Sequence, residues 1–274
     1  MKALLLVLCL LFGCMATPLQ KPLVVVTIPP YADLTRQIVG DFAEIKIFVP
    51  PGANPHIYEP TPHQVSAFAK AKLWFRYGDP IEERVVPFLR EHRVKDVDLS
   101  KGLVHLHGCC HDQEDRHLWL DPKIANVQAK MILEALCQEW PSEREVFKAN
   151  YERLSIRLAQ LDTAISNRLS PFKGAYLLLS HPALGYFCHT YSLHQLSIET
   201  EGKEPLPQQV AHILSLAANG QVKVVLVEPQ YSTKGAMLVA EKLQVPTATI
   251  DPYNGSYFDA MNQITDTITS YYGH

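Results

Sequence analysis

Apolar residues recur with two periods along most of the chain. Pro22 to Pro30 (P-L-V-V-V-T-I-P-P) is a continuous β-branched run, the pattern of a strand covered on both faces. Tyr31 to Gly40 reads as a helix closed by a glycine cap, and Ala43 to Val49 alternates as a second strand. The next stretch, P-P-G-A-N-P-H-I-Y-E-P-T-P, holds five prolines in thirteen residues and must be an ordered loop at a strand end. Thr61 caps a helix with Pro62 in its first turn. A strand over Leu73–Tyr77, a helix over Ile81–Arg90 and a strand over Val94–Leu99 follow.

Beyond Asp121-Pro122 the period becomes helical, with Ile124, Val127, Met131, Leu133 and Leu136 on the run Lys123–Trp140. Ser142 with Glu145 has the form of a capping box. It opens a long helix to Leu169, ~40 Å at 1.5 Å per residue, with no glycine or proline inside it and Pro171 after it. Alternation then resumes: strand Ala175–Leu179, helix Ala183–Thr190, strand Ser197–Glu199, helix Leu206–Asn219, strand Val222–Val227, helix Thr233–Leu243, strand Thr247–Ile250 and helix Ser256–Tyr272. The pattern predicts two α/β lobes, each a mainly parallel sheet with flanking helices, joined by one long rigid helix. The expected boundaries are 22–140 for the N-terminal lobe, 141–171 for the linking helix and 172–274 for the C-terminal lobe.

Composition narrows the class. At 274 residues, 47% hydrophobic and 19% charged, the chain is long enough for two cores and has the balance of a soluble globular protein. A net charge of −3 gives no electrostatic case for nucleic acid or an anionic membrane. Residues 1–16 read as an export signal, with Lys2 before an apolar run too short to span a bilayer. Two processing sites compete. Leu11-Phe12-Gly13-Cys14 resembles a bacterial lipoprotein box that would lipidate Cys14, and Cys14-Met15-Ala16 suits ordinary cleavage. Either way the mature chain is expected in the periplasm or anchored by lipid to a bacterial membrane. No later apolar segment is long enough to be transmembrane. Four cysteines remain: Cys109 and Cys110, adjacent and badly placed to bridge each other, and Cys137 and Cys188, whose bridging stays open in an oxidising compartment.

Candidate chemistry concentrates in 103–122, L-V-H-L-H-G-C-C-H-D-Q-E-D-R-H-L-W-L-D-P, which holds four of the twelve histidines. Imidazole, thiolate and carboxylate are the side chains that ligate zinc and its neighbours. His105, His107 and His111 form a candidate auxiliary metal loop, and His117 stands where that loop meets an apolar run. His56 lies in the proline-rich loop after the second strand, His181 follows the run Tyr176–Ser180, and Asp251 follows the last strand. In open α/β sheets ligands gather beyond the carboxyl ends of strands. Four metal-ligand types at such ends, two per lobe, point to one shared site in a cleft. Three imidazoles and a carboxylate suit tetrahedral zinc, while a bidentate Asp251 keeps manganese as the alternative. Glu59 is a candidate supporting partner or extra ligand.

P-P-G-A-N-P-H-I-Y-E-P-T-P, R-H-L-W-L-D-P, S-H-P-A-L-G-Y-F, S-I-E-T-E-G-K-E-P-L-P and I-D-P-Y-N-G-S-Y occur in this order over essentially the whole mature chain. They resemble the successive motifs of the cluster A-I solute-binding proteins, the zinc- and manganese-binding components of ABC importers. The resemblance implies two α/β lobes joined by a rigid helix, with metal ligands at His56, His117, His181 and Asp251. Histidine at the third of these positions implies zinc, since manganese members often carry glutamate there, although some three-histidine members bind both metals. It also implies a monomer that delivers its ion to a permease and an ATPase on separate chains. The histidine loop is shorter than in many zinc members, and the Cys109-Cys110 pair is unusual. Glu199 and Glu201 fall in a family motif without an implied ligand role. Two other classes fit less well. A zinc hydrolase needs an open coordination position, and neither H-E-x-x-H nor G-x-S-x-G is present. An adhesin role is the other alternative, and no feature of the sequence discriminates it.

Overall fold

The computed structural model describes residues 21–106, 114–199, 207–220 and 222–273. The export signal with Cys14, and His107, Cys109, Cys110, His111 and Glu201, lie outside the described residues.

The first half runs β1 (Leu23–Val26), α1 (Pro29–Val39), β2 (Glu44–Ile47), α2 (Pro62–Phe68), β3 (Leu73–Arg76), α3 (Pro80–Glu83), α4 (Val86–Glu91) and β4 (Lys95–Asp98). Its strands form a parallel sheet in the order β2-β1-β3-β4. The order follows from the residues: Val24, Val25 and Val26 of β1 are fully buried and pair on both sides, while β2 and β4, with alternating polar residues, take the edges. After α5 (Pro122–Glu139) and α6 (Arg144–Leu169) comes the second half. It contains β5 (Tyr176–Leu179), α7 (Gly185–Tyr191), β6 (His194–Ser197), α8 (Pro207–Gly220), β7 (Val225–Val227), α9 (Lys234–Leu243), β8 (Thr247–Thr249) and α10 (Tyr257–Tyr272). Its strands are also parallel, in the order β6-β5-β7-β8. One topology therefore occurs twice. In each sheet the crossovers leave the first strand in opposite directions, which opens a crevice at its carboxyl end.

The helix α6 joins the two. Its buried stripe, Phe147, Leu154, Leu158, Leu161, Ile165 and Leu169, follows helical spacing. It packs against α1 and α5 on one side and α7 and α10 on the other. Each such side chain contributes about 1.5–3 kcal/mol on burial. Direct bonds add to this join: Trp119 Nε1 donates to Pro252 O (3.0 Å), Tyr257 Oη to Trp119 O (2.8 Å) and Thr190 Oγ1 to Asp121 Oδ2 (2.6 Å). Asp121 also caps α5 by accepting from Lys123 N. No described helix is long and apolar enough to cross a membrane.

Three local expectations change, and one open question is answered. The helix over Ile81–Arg90 is two, α3 and α4, because Pro87 has no N–H to continue the first. The Ser142–Glu145 capping box does not form: Pro141–Glu143 is a 3-10 turn, and the Ser142 hydroxyl donates to Glu143 instead. The strand expected at Ser197–Glu199 begins at His194, since an edge strand tolerates the polar His194 and Gln195. Cys137 and Cys188 are both buried and free, so they form no bridge.

Candidate metal centre

His56 sits in the turn after β2, its backbone N–H held by Asn54 Oδ1 at 3.0 Å. Its ring Nδ1 lies 2.8 Å from Asp79 Oδ2. Asp79, just past β3, is fixed in turn by Tyr77 Oη (3.1 Å) and by capping α3 through Ile81 N (3.0 Å). Burial alone would raise the Asp79 carboxyl; the hydrogen bond and charge of His56 outweigh it and hold the group below its usual value.

His117 stands at the start of a 3-10 turn, Leu118–Leu120. Both its backbone N–H and its Nδ1 are 2.8 Å from Asp115 Oδ1. Asp115 can approach because residue 185 is glycine: a Cβ there would lie 2.1 Å from Asp115 Oδ2.

His181 is two residues past β5, with Nδ1 3.0 Å from Glu199 Oε2. Its ring stacks on Tyr231 at 3.9 Å and 10°. Beneath it the Ser180 hydroxyl donates to Glu228, whose carboxyl burial pushes up to about 8. Burial first, then the neighbouring His117 and His56, drives the His181 pKa well below its ordinary value, so the ring stays neutral.

The three rings converge. Their centroids lie 5.8 Å (His56–His117), 5.2 Å (His56–His181) and 5.2 Å (His117–His181) apart. A ring nitrogen from each lies within 4.8 Å of the others. Every Nδ1 is engaged by a carboxylate, which leaves Nε2 as the lone-pair nitrogen of each ring. The Nε2 atoms of His56 and His181 are buried with no hydrogen-bond partner, while that of His117 meets the Tyr253 hydroxyl at 2.9 Å. Buried, unpartnered lone pairs cost free energy unless something fills them. A tetrahedral zinc at about 2.0–2.1 Å from each nitrogen sets them roughly 3.4 Å apart. Ring movements of about an ångström reach that geometry from the 4.8 Å limit. The residues fit the ion. The carboxylates behind them fix tautomer and orientation and raise the basicity of the ligating nitrogen.

Other expected positions fall elsewhere. Asp251 stands outside the group of close nitrogens; its Oδ1 accepts from Gln230 Nε2 (2.7 Å) and Tyr253 N (3.1 Å). Glu59 is no partner of His56: it is exposed and pairs with Arg84 at 3.4 Å, and Asp79 supplies the support expected of it. His105 lies 3.9 Å from Glu114, and its loop partners His107 and His111 lie outside the described residues. Asp79, Asp115 and Tyr253 were not singled out from the sequence, and Glu199 was noted without a role. Asp115, two residues before His117, is the one whose spacing carried a signal.

A pair of parallel α/β lobes with imidazoles converging between them defines a metal-receptor type of solute-binding protein. Residues 24–271 match the family described as ZnuA, zinc-uptake complex component A, periplasmic, and the chain belongs to that family of solute-binding transport proteins. It is similar to a candidate metal-binding protein of Chlamydia muridarum, 29% identical over 249 residues and 88% of each chain. It is also similar to the high-affinity zinc uptake system protein ZnuA of Bacillus subtilis, 26% identical over 89% of this chain and 86% of that one. A crystal structure of ZnuA superposes with a TM-score of 0.87 at 26% identity, covering 92% of this chain and 99% of the other.

Proposed function

We propose that this chain is the exported capture subunit of a zinc importer. It binds one Zn2+ through Nε2 of His56, His117 and His181 and the carboxylate of Asp251, then delivers it to an ABC permease powered by an ATPase on separate chains. The observation that carries this reading is the threefold repeat of one device, a carboxylate on each Nδ1 of three rings whose nitrogens converge within 4.8 Å. Three imidazoles favour zinc over manganese, which prefers more oxygen ligands. Four protein ligands leave no position for an activated water, so the role is binding and release rather than catalysis.

Asp251 joins by giving up Gln230 or by using its second oxygen. His105, His107 and His111 add a weaker auxiliary site beside the tight one. The lobes, 22–140 and 172–274, rock only slightly about the helical link 141–171, and the protein acts as a monomer. Metal analysis of the purified chain, followed by competitive titration with zinc and manganese, tests the reading. One tight zinc per chain is expected, retained when His105, His107 and His111 are all replaced. A preference for manganese, or loss of tight binding in the triple variant, overturns it.

A further inference from the structure

We propose that Tyr253 is a built-in competitor for the cation at His117, whose hydroxyl limits how tightly the ion is held and speeds its release. The proposal rests on the three-histidine reading of the site. Tyr253 follows β8, two residues past Asp251, and is 3% exposed. Its ring packs beside those of His117 (6.0 Å) and Trp119 (5.3 Å). Its hydroxyl lies 2.9 Å from His117 Nε2.

The direction of that bond follows from the other edge of the ring. Nδ1 of His117 faces Asp115 Oδ1 at 2.8 Å, an oxygen that also accepts from the His117 backbone N–H, and a carboxylate oxygen in that place is the acceptor, so Nδ1 carries the proton. Nε2 is then an acceptor, and the phenol donates to it. An imidazole nitrogen has a single in-plane lone pair. Accepting the Tyr253 O–H and ligating a cation are therefore mutually exclusive uses of the same electrons. His56 and His181 bear no such cap, since their Nε2 atoms are buried without a partner. The three ligands are thus inequivalent: two are bare, and one is already spent.

The displaced donor has an alternative. Tyr231 Oη is 3.4 Å from Tyr253 Oη, and Tyr231 itself stacks on His181. Turning the O–H from His117 to Tyr231 frees Nε2 with little movement of the buried ring. In reverse, the hydroxyl recaptures Nε2 as the cation leaves, which lowers the cost of giving up one metal–nitrogen bond.

The test uses the mature chain stripped with chelator, its Y253F variant and its H117A variant. Zinc affinity is read by competition with a chromogenic chelator, and release by mixing the loaded protein with excess chelator. Y253F should bind zinc roughly three- to tenfold more tightly, the equivalent of one neutral hydrogen bond's net contribution, and release it correspondingly more slowly. In zinc-free protein labelled with ¹⁵N-histidine, Y253F should move the Nε2 resonance of one ring only. Phenylalanine keeps the packed ring, and a cooperative melt of the zinc-free variant checks that it folds. Unchanged or weaker binding in Y253F, or an unmoved histidine spectrum, overturns the proposal while leaving the site intact, provided H117A has lost tight binding. Wild-type affinity in H117A overturns the site reading itself.

Discussion

The two lobes repeat one strand order yet mount their histidines differently. In the C-terminal lobe His181 emerges almost directly from the central strand β5, 6% exposed and stacked on Tyr231. In the N-terminal lobe His56 rides on a proline-rich loop after edge strand β2, and its side chain is 29% exposed. The carboxylates behind them differ too. Asp79 also caps α3 and accepts from Tyr77, whereas the Glu199 carboxylate, on the chain just past β6, meets the His181 ring at 3.0 Å. One histidine is thus built into a core and the other is placed by a loop whose prolines restrict it. The comparison teaches that equal topology does not mean equal mounting: His181, like His117, is buried and pre-set, and His56 on its loop has more room to move.

The largest effect expected is from His181→Ala. Removing a ligand should weaken zinc binding by more than the roughly 10–100-fold that loss of a supporting partner costs, as read by competitive titration. If His181→Ala binds zinc like wild type, the converging rings are not the site. Next, Gly185→Ala would place a Cβ 2.1 Å from Asp115 Oδ2, pushing that carboxylate off His117. Affinity should fall roughly 10–100-fold, with about 1–3 kcal/mol lost from stability through overpacking. Gly255→Ala, whose Cβ would meet only Pro29 at 3.9 Å, should change neither. Equal melting curves for the two glycine variants would contradict the close approach.

The carboxylate partners sharpen the comparison between lobes. Glu199→Ala and Asp79→Ala should each cost roughly 10–100-fold in zinc affinity. Only Asp79→Ala should also lose about 1 kcal/mol of zinc-free stability, from the helix cap it removes. Denaturant unfolding in chelator separates the two; a similar stability loss in both variants would show that the lobes are not built differently.

A smaller effect concerns pH. The His181 pKa is depressed in the folded state, so between that value and about 6.5 the unfolded chain binds more protons than the folded one. The contribution of His181 to zinc-free stability should therefore be complete above pH of about 6.5 and fall as the pH drops below it. His181→Gln should flatten that slope in unfolding curves measured across the range. The smallest effect is none: His63→Ala, on an exposed position of α2, should leave affinity and melting temperature at wild-type values. A shift there would mean that histidines outside the convergent set contribute.

Local pattern was enough to read the alternation of strands and helices, the long glycine-free α6 and the three histidines at loop positions past strands, because period, caps and prolines act within a few residues. The continuous valines of β1 demanded neighbours on both sides, and they have them. Short-range signals misled where a neighbour in space decided. Ser142 and Glu145 had the spelling of a cap, but Pro141 turned the chain into a 3-10 turn first. Glu59 was near His56 in sequence, yet Asp79, twenty-three residues away, reaches its ring. That Asp79 backs His56 and Glu199 backs His181, the seat that Gly185 leaves for Asp115, and the Tyr253 hydroxyl on His117, 136 residues apart, were decided only by tertiary packing. Hydrogen bonds at 2.8–3.0 Å depend on where separate elements finally meet, and no periodicity along the chain encodes that distance.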